Sequence, residues 1–181
     1  MIFTIVLLIF LAITFLVLLF FYIFLAVGMF RTGTPFIPRP IRYQDKILAL
    51  MELKKGQKLF DLGCGDATFL ITAEKKYGIE AIGFELSLAA MIISRLNVFF
   101  KKSKAKIYYQ DFFKADISQA DVIFCYLFPS VMNRLSEKFK KELKPGAKIY
   151  SLAFAMSDWP GAKMIYLDEE KKKGKFYIYE K

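Results

Sequence analysis

The chain has 181 residues, of which 56% are hydrophobic and 24% are charged, with no histidine and two cysteines. An aromatic fraction of 17% excludes intrinsic disorder, and two cysteines are too few for a disulfide framework. The lack of histidine excludes His-based metal sites and His-dependent catalytic pairs, and we predict no bound metal. Residues 1–30 contain no charged residue, so the net charge of +10 belongs to residues 31–181.

The first thirty residues predict a transmembrane helix. A helix rises about 1.5 Å per residue, so about 20 apolar residues cross a hydrocarbon core of about 30 Å. The apolar run from Ile2 to Phe30 is longer than that. A cleaved signal peptide is the alternative, but it would have a basic start and an apolar stretch of about 7–15 residues. We therefore expect a single-pass membrane protein.

Basic residues follow the apolar run and none precedes it. The first four are Arg31, Arg39, Arg42 and Lys46. The positive-inside rule therefore predicts that the rest of the chain lies on the cytoplasmic side of the membrane. Residues 31–40 contain three prolines, which remove amide donors and favour extended geometry. The predicted organisation is a transmembrane helix (1–30), a Pro-rich connector (31–40) and one domain (41–181).

Strand and helix patterns alternate regularly after the connector. Apolar strands are predicted at 57–63, 81–85, 105–111, 121–127 and 148–154. Helices are predicted at 41–53, 67–77, 87–100 and 129–143. Two further strands, 163–167 and 176–179, flank a polar turn and predict a hairpin at one sheet edge. Apolar strands that alternate with helices predict an α/β fold, with a parallel sheet covered by helices on both faces.

Three acidic residues are predicted at the carboxyl ends of the first three strands, namely Asp61, Glu85 and Asp111. Gly63 and Gly65 follow the first strand, where glycine lets the backbone approach a ligand closely. In an open α/β sheet, ligands bind outside the carboxyl ends of the strands. Glu85 lies about 20 positions after the glycine turn, where an acidic residue can accept hydrogen bonds from both hydroxyls of a ribose.

An acidic rim argues against a dinucleotide. Its pyrophosphate would lie at the N-terminus of the helix after the glycine turn, where Asp66 would repel it. Thr68 also occupies the third glycine position of the dinucleotide pattern. A ligand with positive charge and no phosphate fits better. S-adenosylmethionine, with a sulfonium, an ammonium and a ribose, is such a ligand.

The pattern Asp61-x-Gly63-x-Gly65, with Glu85 and Asp111 closing the next two strands, resembles the class I S-adenosylmethionine-dependent methyltransferases. This resemblance implies a Rossmann-like α/β sheet with S-adenosyl-L-methionine as the cofactor. It implies that Gly63 and Gly65 face the methionine part and that Asp61 helps to hold its ammonium. It also implies that Glu85 holds the ribose and that Asp111 holds the adenine edge.

The resemblance covers about residues 41–181 and departs from the family at Ala67, where a third glycine is usual. Three features together suggest a closer likeness: the apolar span, the Pro-rich stretch 34–40 and the late segment Asp158-Trp159-Pro160-Gly161. They resemble the membrane-anchored lysine methyltransferases that act on mitochondrial ATP synthase subunit c and the adenine nucleotide translocase. This likeness implies a lysine acceptor on a membrane-associated protein.

The residues at the end of the fourth strand indicate which kind of group accepts the methyl. Methyltransferases that act on amides, and many that act on base amines, carry Asn/Asp-Pro-Pro-Tyr/Phe there, whereas this chain has Cys125-Tyr126-Leu127-Phe128-Pro129. Tyr126 and Phe128 are candidates for lining an acceptor channel, because aromatic faces attract a cationic amine. The alternative is that both are core residues. Cys64 and Cys125 are expected to be buried and inert.

Three functions are compatible with the sequence. The leading one is methylation of a protein lysine at the membrane. The others are methylation of a lipid headgroup or quinone-like molecule, and cofactor binding without catalysis. The basic charge has three interpretations, which are attraction to anionic lipid, nucleic-acid binding and solubility. The apolar span favours lipid, and no recognition helix or repeated aromatic-basic motif supports nucleic acid.

Overall fold

The computed structural model describes residues 2–32 and 41–181, with side chains described in 2–23 and 42–181. The chain divides into two compact units, residues 1–36 and 37–181. Most of the predicted connector, residues 33–40, lies outside the described residues. The boundaries after residues 30 and 40 therefore stay predictions.

The first unit contains helix α1, Ile2–Thr32. The span Ile2–Ile23 has a mean hydropathy of 3.2, and its side chains are exposed. Thr14 donates its hydroxyl hydrogen bond to the carbonyl of Phe10 at 2.9 Å, so the helix itself satisfies this polar group. By length and composition this span can cross a membrane, a test that an N-terminal signal sequence also passes.

The second unit is built on a seven-stranded sheet. The strands are β1 Lys58–Leu62, β2 Glu80–Glu85, β3 Lys106–Tyr109, β4 Val122–Cys125, β5 Lys148–Leu152, β6 Lys163–Asp168 and β7 Lys173–Glu180. Their order is β3-β2-β1-β4-β5-β7-β6. The first five strands pair in parallel, while β7 pairs antiparallel with β5 and β6. The predicted α/β sheet and its edge hairpin are confirmed.

Helices cover this sheet. They are α2 Gln44–Leu50, α3 Thr68–Tyr77, α4 Leu88–Phe100 and α5 Pro129–Glu142, with a short 3-10 turn, Ile41–Tyr43, before α2. Local chemistry explains their ends. Ser87 caps α4 by accepting a hydrogen bond from the Ala90 amide, and Pro129 occupies the first turn of α5. α2 is shorter than the predicted 41–53, because Glu52 adopts a positive φ of 50°.

Three predicted strands are two residues too long at their carboxyl ends. β4 ends at Cys125 rather than at residue 127. β3 ends at Tyr109 rather than at Asp111, because the Asp111 carboxylate accepts the amide hydrogen of Phe113 and begins a turn. β5 ends at Leu152 because Ala153 has a φ of +76°, which takes the chain out of the strand. Such left-handed conformations are rare for residues other than glycine, and the identity of the residue does not reveal them.

Buried apolar side chains form a core on each face of the sheet. One cluster includes Phe69 of α3 and Cys64, and the other includes Phe139 of α5 and Cys125. The predicted burial of both cysteines is confirmed, and their places on opposite faces separate the two thiols. Burial raises the pKa of the Cys125 thiol well above its usual range, and the negative charge of Asp61 adds to the rise.

Gly83, inside β2, has no room for a side chain. An added Cβ would lie 2.6 Å from Cys64 Sγ and 2.7 Å from Leu70 Cδ1. We expect Gly83→Ala to lower the free energy of unfolding by about 1–3 kcal/mol, because both neighbours must move. Urea denaturation measures this cost. Cys64→Ala should recover part of it, and an equal cost in both backgrounds would contradict this packing explanation.

Asp158 joins the segment after β5 to helix α5. Its carboxylate accepts hydrogen bonds from Ser136 Oγ at 2.5 Å and from Lys140 Nζ at 3.1 Å. The Ser136 hydroxyl first, and then Lys140, lower the pKa of Asp158 to about 2. A lowered pKa adds stability above the unfolded-state value near 3.8, and this stability is lost as the pH falls toward 2.

We therefore expect Asp158→Asn to lower the free energy of unfolding at neutral pH. The difference from the native chain should shrink as the pH falls from about 4 to 2, because the native carboxyl becomes protonated. Denaturant unfolding at a series of pH values measures this difference. A difference that stays constant down to pH 2 would show that the charge of Asp158 contributes nothing.

Candidate functional site

The loop between β1 and α3 is a tight turn with three left-handed residues. The φ angles are +80° at Gly63, +59° at Gly65 and +60° at Ala67. Glycine adopts this conformation freely, whereas alanine does so at a cost of about 1–2 kcal/mol. The amides of Gly63 and Cys64 both donate to the carbonyl of Phe84, at 2.9 and 3.1 Å. The turn is therefore attached to the carboxyl end of β2.

Glu85 supports the same turn from the last position of β2. Its Oε2 accepts a hydrogen bond from the Gly65 amide at 2.9 Å. Its Oε1 accepts from the amides of Leu86 at 2.9 Å and Ser87 at 2.8 Å. A carboxylate has about four acceptor positions, so these three bonds leave one position for a ligand. The sequence indicated Glu85 as a ligand residue but did not reveal this second role in holding the glycine turn.

Asp61 lies within β1, beside Gly83 of β2 and Phe124 of β4. It is almost completely buried, with 1% of its surface exposed. Its position near the carboxyl end of the two central strands puts a negative charge directly before the glycine turn. A carboxylate at this position attracts a cationic group bound beyond the ends of the strands.

Asp111 lies two residues beyond β3 and is half-buried. Tyr109 of β3 pairs with Glu85 of β2 in a parallel register, so Asp111 follows the same end of the sheet as Glu85. One of its carboxylate oxygens accepts the amide hydrogen of Phe113 at 2.9 Å. Asp111 is thus held in a turn beyond the carboxyl end of β3, whereas the sequence predicted it as the last residue of that strand.

Asp66 closes the N-terminus of α3. Its two carboxylate oxygens accept hydrogen bonds from the Thr68 amide at 3.0 Å and the Thr68 hydroxyl at 2.9 Å. Its backbone carbonyl accepts from Asn97 Nδ2 of α4 at 2.9 Å. A carboxylate thus occupies the position where a phosphate would bind, as argued from the sequence. The sequence did not reveal the Asn97 contact, because the two residues are 31 positions apart.

The segment after β4 contributes two aromatic residues. Tyr126 packs against the core cluster that contains α3, whereas the Phe128 ring stacks on Phe154, with centroids 6.4 Å apart and planes at 26°. Leu127 lies over the glycine turn, since its Cδ2 would be 3.2 Å from a Cβ on Gly63. Sequence reasoning missed Phe154, because the left-handed Ala153 that turns it out of β5 has no sequence signal.

These residues form a rim at the carboxyl ends of neighbouring strands. Asp61, Glu85 and Asp111 supply negative charge, and the glycine turn supplies close backbone approach. Such a rim can hold a cationic, phosphate-free nucleoside, and S-adenosylmethionine matches this chemistry. The aromatic pair lies at the end of the adjoining β4 and β5, where a second substrate could approach.

The sequence profile of the ANTKMT methyltransferase domain matches residues 61–163, which include every candidate site residue. The chain belongs to this methyltransferase family. A protein-lysine N-methyltransferase from Saccharolobus islandicus (strain REY15A) is 29% identical over 150 residues, covering 80% of this chain and 92% of that protein. The adenine nucleotide translocase lysine N-methyltransferase of Mus musculus is 28% identical over 131 residues. That match covers 71% of this chain and 57% of the mouse protein.

Solved structures of methyltransferases share this fold. An RNA methyltransferase from Salinibacter ruber, in complex with S-adenosyl-L-homocysteine, has a TM-score of 0.73 and 29% identity. That alignment covers 80% of this chain and 93% of that chain. A methyltransferase from Geobacter sulfurreducens with the same ligand has a TM-score of 0.54 and 18% identity, over 68% and 53% of the two chains, and shows the fold alone.

This methyltransferase therefore has the class I fold and S-adenosylmethionine as its cofactor, and both predictions from the sequence are confirmed. The residues of this chain fit that cofactor. The buried and half-buried carboxylates of the rim suit its ammonium and ribose, and the Asp66 carboxylate at the start of α3 disfavours a phosphate there.

Proposed function

We propose that this methyltransferase methylates a lysine side chain of a membrane-associated protein. The observation that carries the proposal is the Glu85-supported glycine turn, next to the Phe128–Phe154 pair that follows the ends of β4 and β5. Relatives from Saccharolobus islandicus and Mus musculus named as protein-lysine and translocase-lysine methyltransferases support the acceptor class. The apolar helix α1 supports an acceptor at the membrane.

In this proposal each rim residue contacts a different part of the cofactor. Gly63 and Gly65 face its methionine part, and Asp61 helps to hold the ammonium. Glu85 uses its remaining acceptor position for the ribose, and Asp111 holds the adenine edge. The parallel pairing of β1, β2 and β3 supports this division, because it brings the three carboxyl ends to one side of the sheet.

The cofactor supplies an electrophilic methyl group, whose bond to sulfur breaks as a bond to the lysine nitrogen forms and the electron pair returns to sulfur. The protein aligns the two reactants, and such positioning can be worth about 7–11 kcal/mol. The lysine must first lose a proton to water. Its pKa near 10.4 leaves roughly one part in a few thousand neutral at pH 7, and apolar walls favour the neutral amine.

The Phe128–Phe154 pair is proposed to line the acceptor channel together with Tyr126. We expect Phe154→Ala to raise the KM for a lysine acceptor by about 2- to 30-fold, the range of cation–π energies, with little change in cofactor affinity. Steady-state kinetics and calorimetry measure the two quantities separately. Tyr166→Ala, which removes a half-buried ring on the edge hairpin, is the control. A normal KM in folded Phe154→Ala would remove the pair from the acceptor channel.

The proposed organisation places residues 1–30 across the membrane as a single-pass anchor. Residues 31–40 form the Pro-rich connector, and residues 41–181 form the methyltransferase domain on the cytoplasmic side. The length and hydropathy of α1 support the span, and the basic residues that follow it support the orientation.

Radiolabelled S-adenosylmethionine added to membrane vesicles tests this proposal. The cofactor is charged and stays on its side of the bilayer, so inside-out vesicles should be labelled and right-side-out vesicles should not. Label in the protein fraction supports a protein acceptor. Label in the organic phase would favour a lipid or quinone-like acceptor, and no label at all would favour a non-catalytic module.

A further inference from the structure

Helix α4 buries one apolar face and exposes another. Ala90, Met91 and Ser94 face the core. The exposed large apolar side chains are Leu88, Ile92, Ile93, Leu96, Phe99 and Phe100. Spacings of three and four residues bring them together on one side of the helix. Phe99 and Phe100 are 74% and 73% exposed, and a water-soluble surface rarely carries so many large apolar side chains in one patch.

The segment that carries this patch is basic, and Glu74 of α3 contacts it by accepting hydrogen bonds from Ser103 Oγ at 2.7 Å and from the Lys104 amide at 3.3 Å. Residues 86–110 contain no Asp or Glu and five basic residues, which are Arg95, Lys101, Lys102, Lys104 and Lys106. β3 follows α4 and is an edge strand of the sheet. It exposes Tyr109, an aromatic residue with a polar end, on the α4 side of the sheet, because Ile107 two residues earlier shares a core cluster with Met91 of α4. We call the exposed side of α4 and β3 the α4–β3 surface.

This combination fits a lipid bilayer better than a protein partner. A helix that lies in a membrane interface has large apolar side chains beside lysine and arginine, which attract anionic headgroups. A second copy of the chain is a poor occupant. In a two-fold dimer the same patch meets itself, so basic residues of this segment would approach those of the other copy, and Glu74, the acidic residue that contacts the segment, is already bonded to Ser103.

We propose that the α4–β3 surface lies on an anionic lipid bilayer, with its apolar side chains at the acyl-chain boundary and its lysines against lipid phosphates. The proposal deepens the proposed function and rests on it for the membrane location of the chain. The surface begins at Leu88, three residues after Glu85. Contact with the bilayer would therefore hold the cofactor rim close to the membrane plane, within reach of a lysine near that plane.

Site-specific fluorescence quenching tests this contact in the full chain. Both natural cysteines are buried, so a cysteine introduced at the surface can be labelled selectively. A polarity-sensitive fluorophore is attached through Leu96→Cys in α4, and the control label through Lys141→Cys in α5, an exposed position. The chain is reconstituted into phosphatidylcholine–phosphatidylglycerol vesicles that contain doxyl-labelled phosphatidylcholine as the quencher.

We expect strong quenching of the Leu96→Cys label and little quenching of the Lys141→Cys label. Replacing Lys102 and Lys104 by Ala, or using phosphatidylcholine alone, should reduce the quenching. Each lysine removed should lower the equilibrium constant for binding of the α4–β3 surface to the bilayer about fivefold. Equal weak quenching at both positions would overturn the proposal, and so would cysteine cross-linking between two copies through Leu96→Cys.

A carbonate wash of the same vesicles separates this proposal from the membrane anchor. If the chain is washed off but the Leu96→Cys label was quenched beforehand, the anchor fails and the lipid-binding surface stands. If the chain resists washing but its Leu96→Cys label is not quenched, the anchor stands and the lipid-binding surface fails.

Discussion

Glu85→Ala is expected to weaken the binding of S-adenosylmethionine by about two to four orders of magnitude. The variant removes a charged acceptor from the ribose, and each charge-assisted hydrogen bond is worth about 1.5–3 kcal/mol. It also removes the acceptor of the Gly65 amide at 2.9 Å, so the glycine turn loses its support. Both effects act in the same direction on cofactor affinity, and titration calorimetry measures their sum.

Glu80→Ala is the matched control, because Glu80 is exposed at the opposite end of the same strand. It should leave the affinity unchanged. Glu85→Gln separates charge from shape, since its amide keeps one acceptor oxygen and places a donor near the backbone amides. An intermediate affinity is expected there. Unchanged affinity in a folded Glu85→Ala protein, with circular dichroism as the test of folding, would remove Glu85 from the cofactor site.

Removal of residues 1–30 is expected to slow methylation of a membrane-embedded acceptor by about 10²- to 10⁴-fold. Enzyme and acceptor held in one plane meet at a raised effective concentration, as two linked modules do. Cofactor affinity should stay unchanged, because residues 37–181 form a compact unit with its own core and the candidate site. Turnover is measured on acceptor-containing vesicles.

A chain whose residues 1–30 are replaced by an unrelated apolar helix of equal length is the control for anchoring. It should recover most of the turnover, since the proposed role requires attachment to the membrane rather than a particular helix sequence. Full activity of the shortened chain on vesicles would show that attachment through α1 is not needed to reach the acceptor, and would contradict the proposed role of the anchor. A failure of the replacement helix to restore turnover would indicate that α1 contacts the acceptor directly.

Much of the fold could be predicted because its signals are local. Apolar runs punctuated by glycine and proline predicted the strands and helices, and Ser87 and Pro129 marked two helix starts. The order of acidic residues after successive strands predicted the cofactor class, since parallel strands bring their carboxyl ends together. The place of the cofactor rim could therefore be predicted from residue types and their spacing, whereas the role of each rim residue came from the resemblance to class I methyltransferases.

The remaining features depend on contacts between distant residues or on backbone angles. Asn97 supports the carbonyl of Asp66 from another helix, and Gly83 is required by the position of Cys64. The left-handed Ala153 ends β5 and brings Phe154 to Phe128. No local pattern distinguishes such an alanine from one in a strand, so the aromatic pair could be recognised only in the folded chain.

Mass spectrometry of membrane proteins tests lysine methylation most directly. Peptides are compared between cells that produce the native chain and cells that produce its Glu85→Ala variant. We predict that at least one membrane protein carries a lysine whose mass is raised by one or more methyl groups only with the native chain. Identical lysine methylation in both cell types, with methylated lipids or quinones that differ between them, would contradict a protein-lysine acceptor.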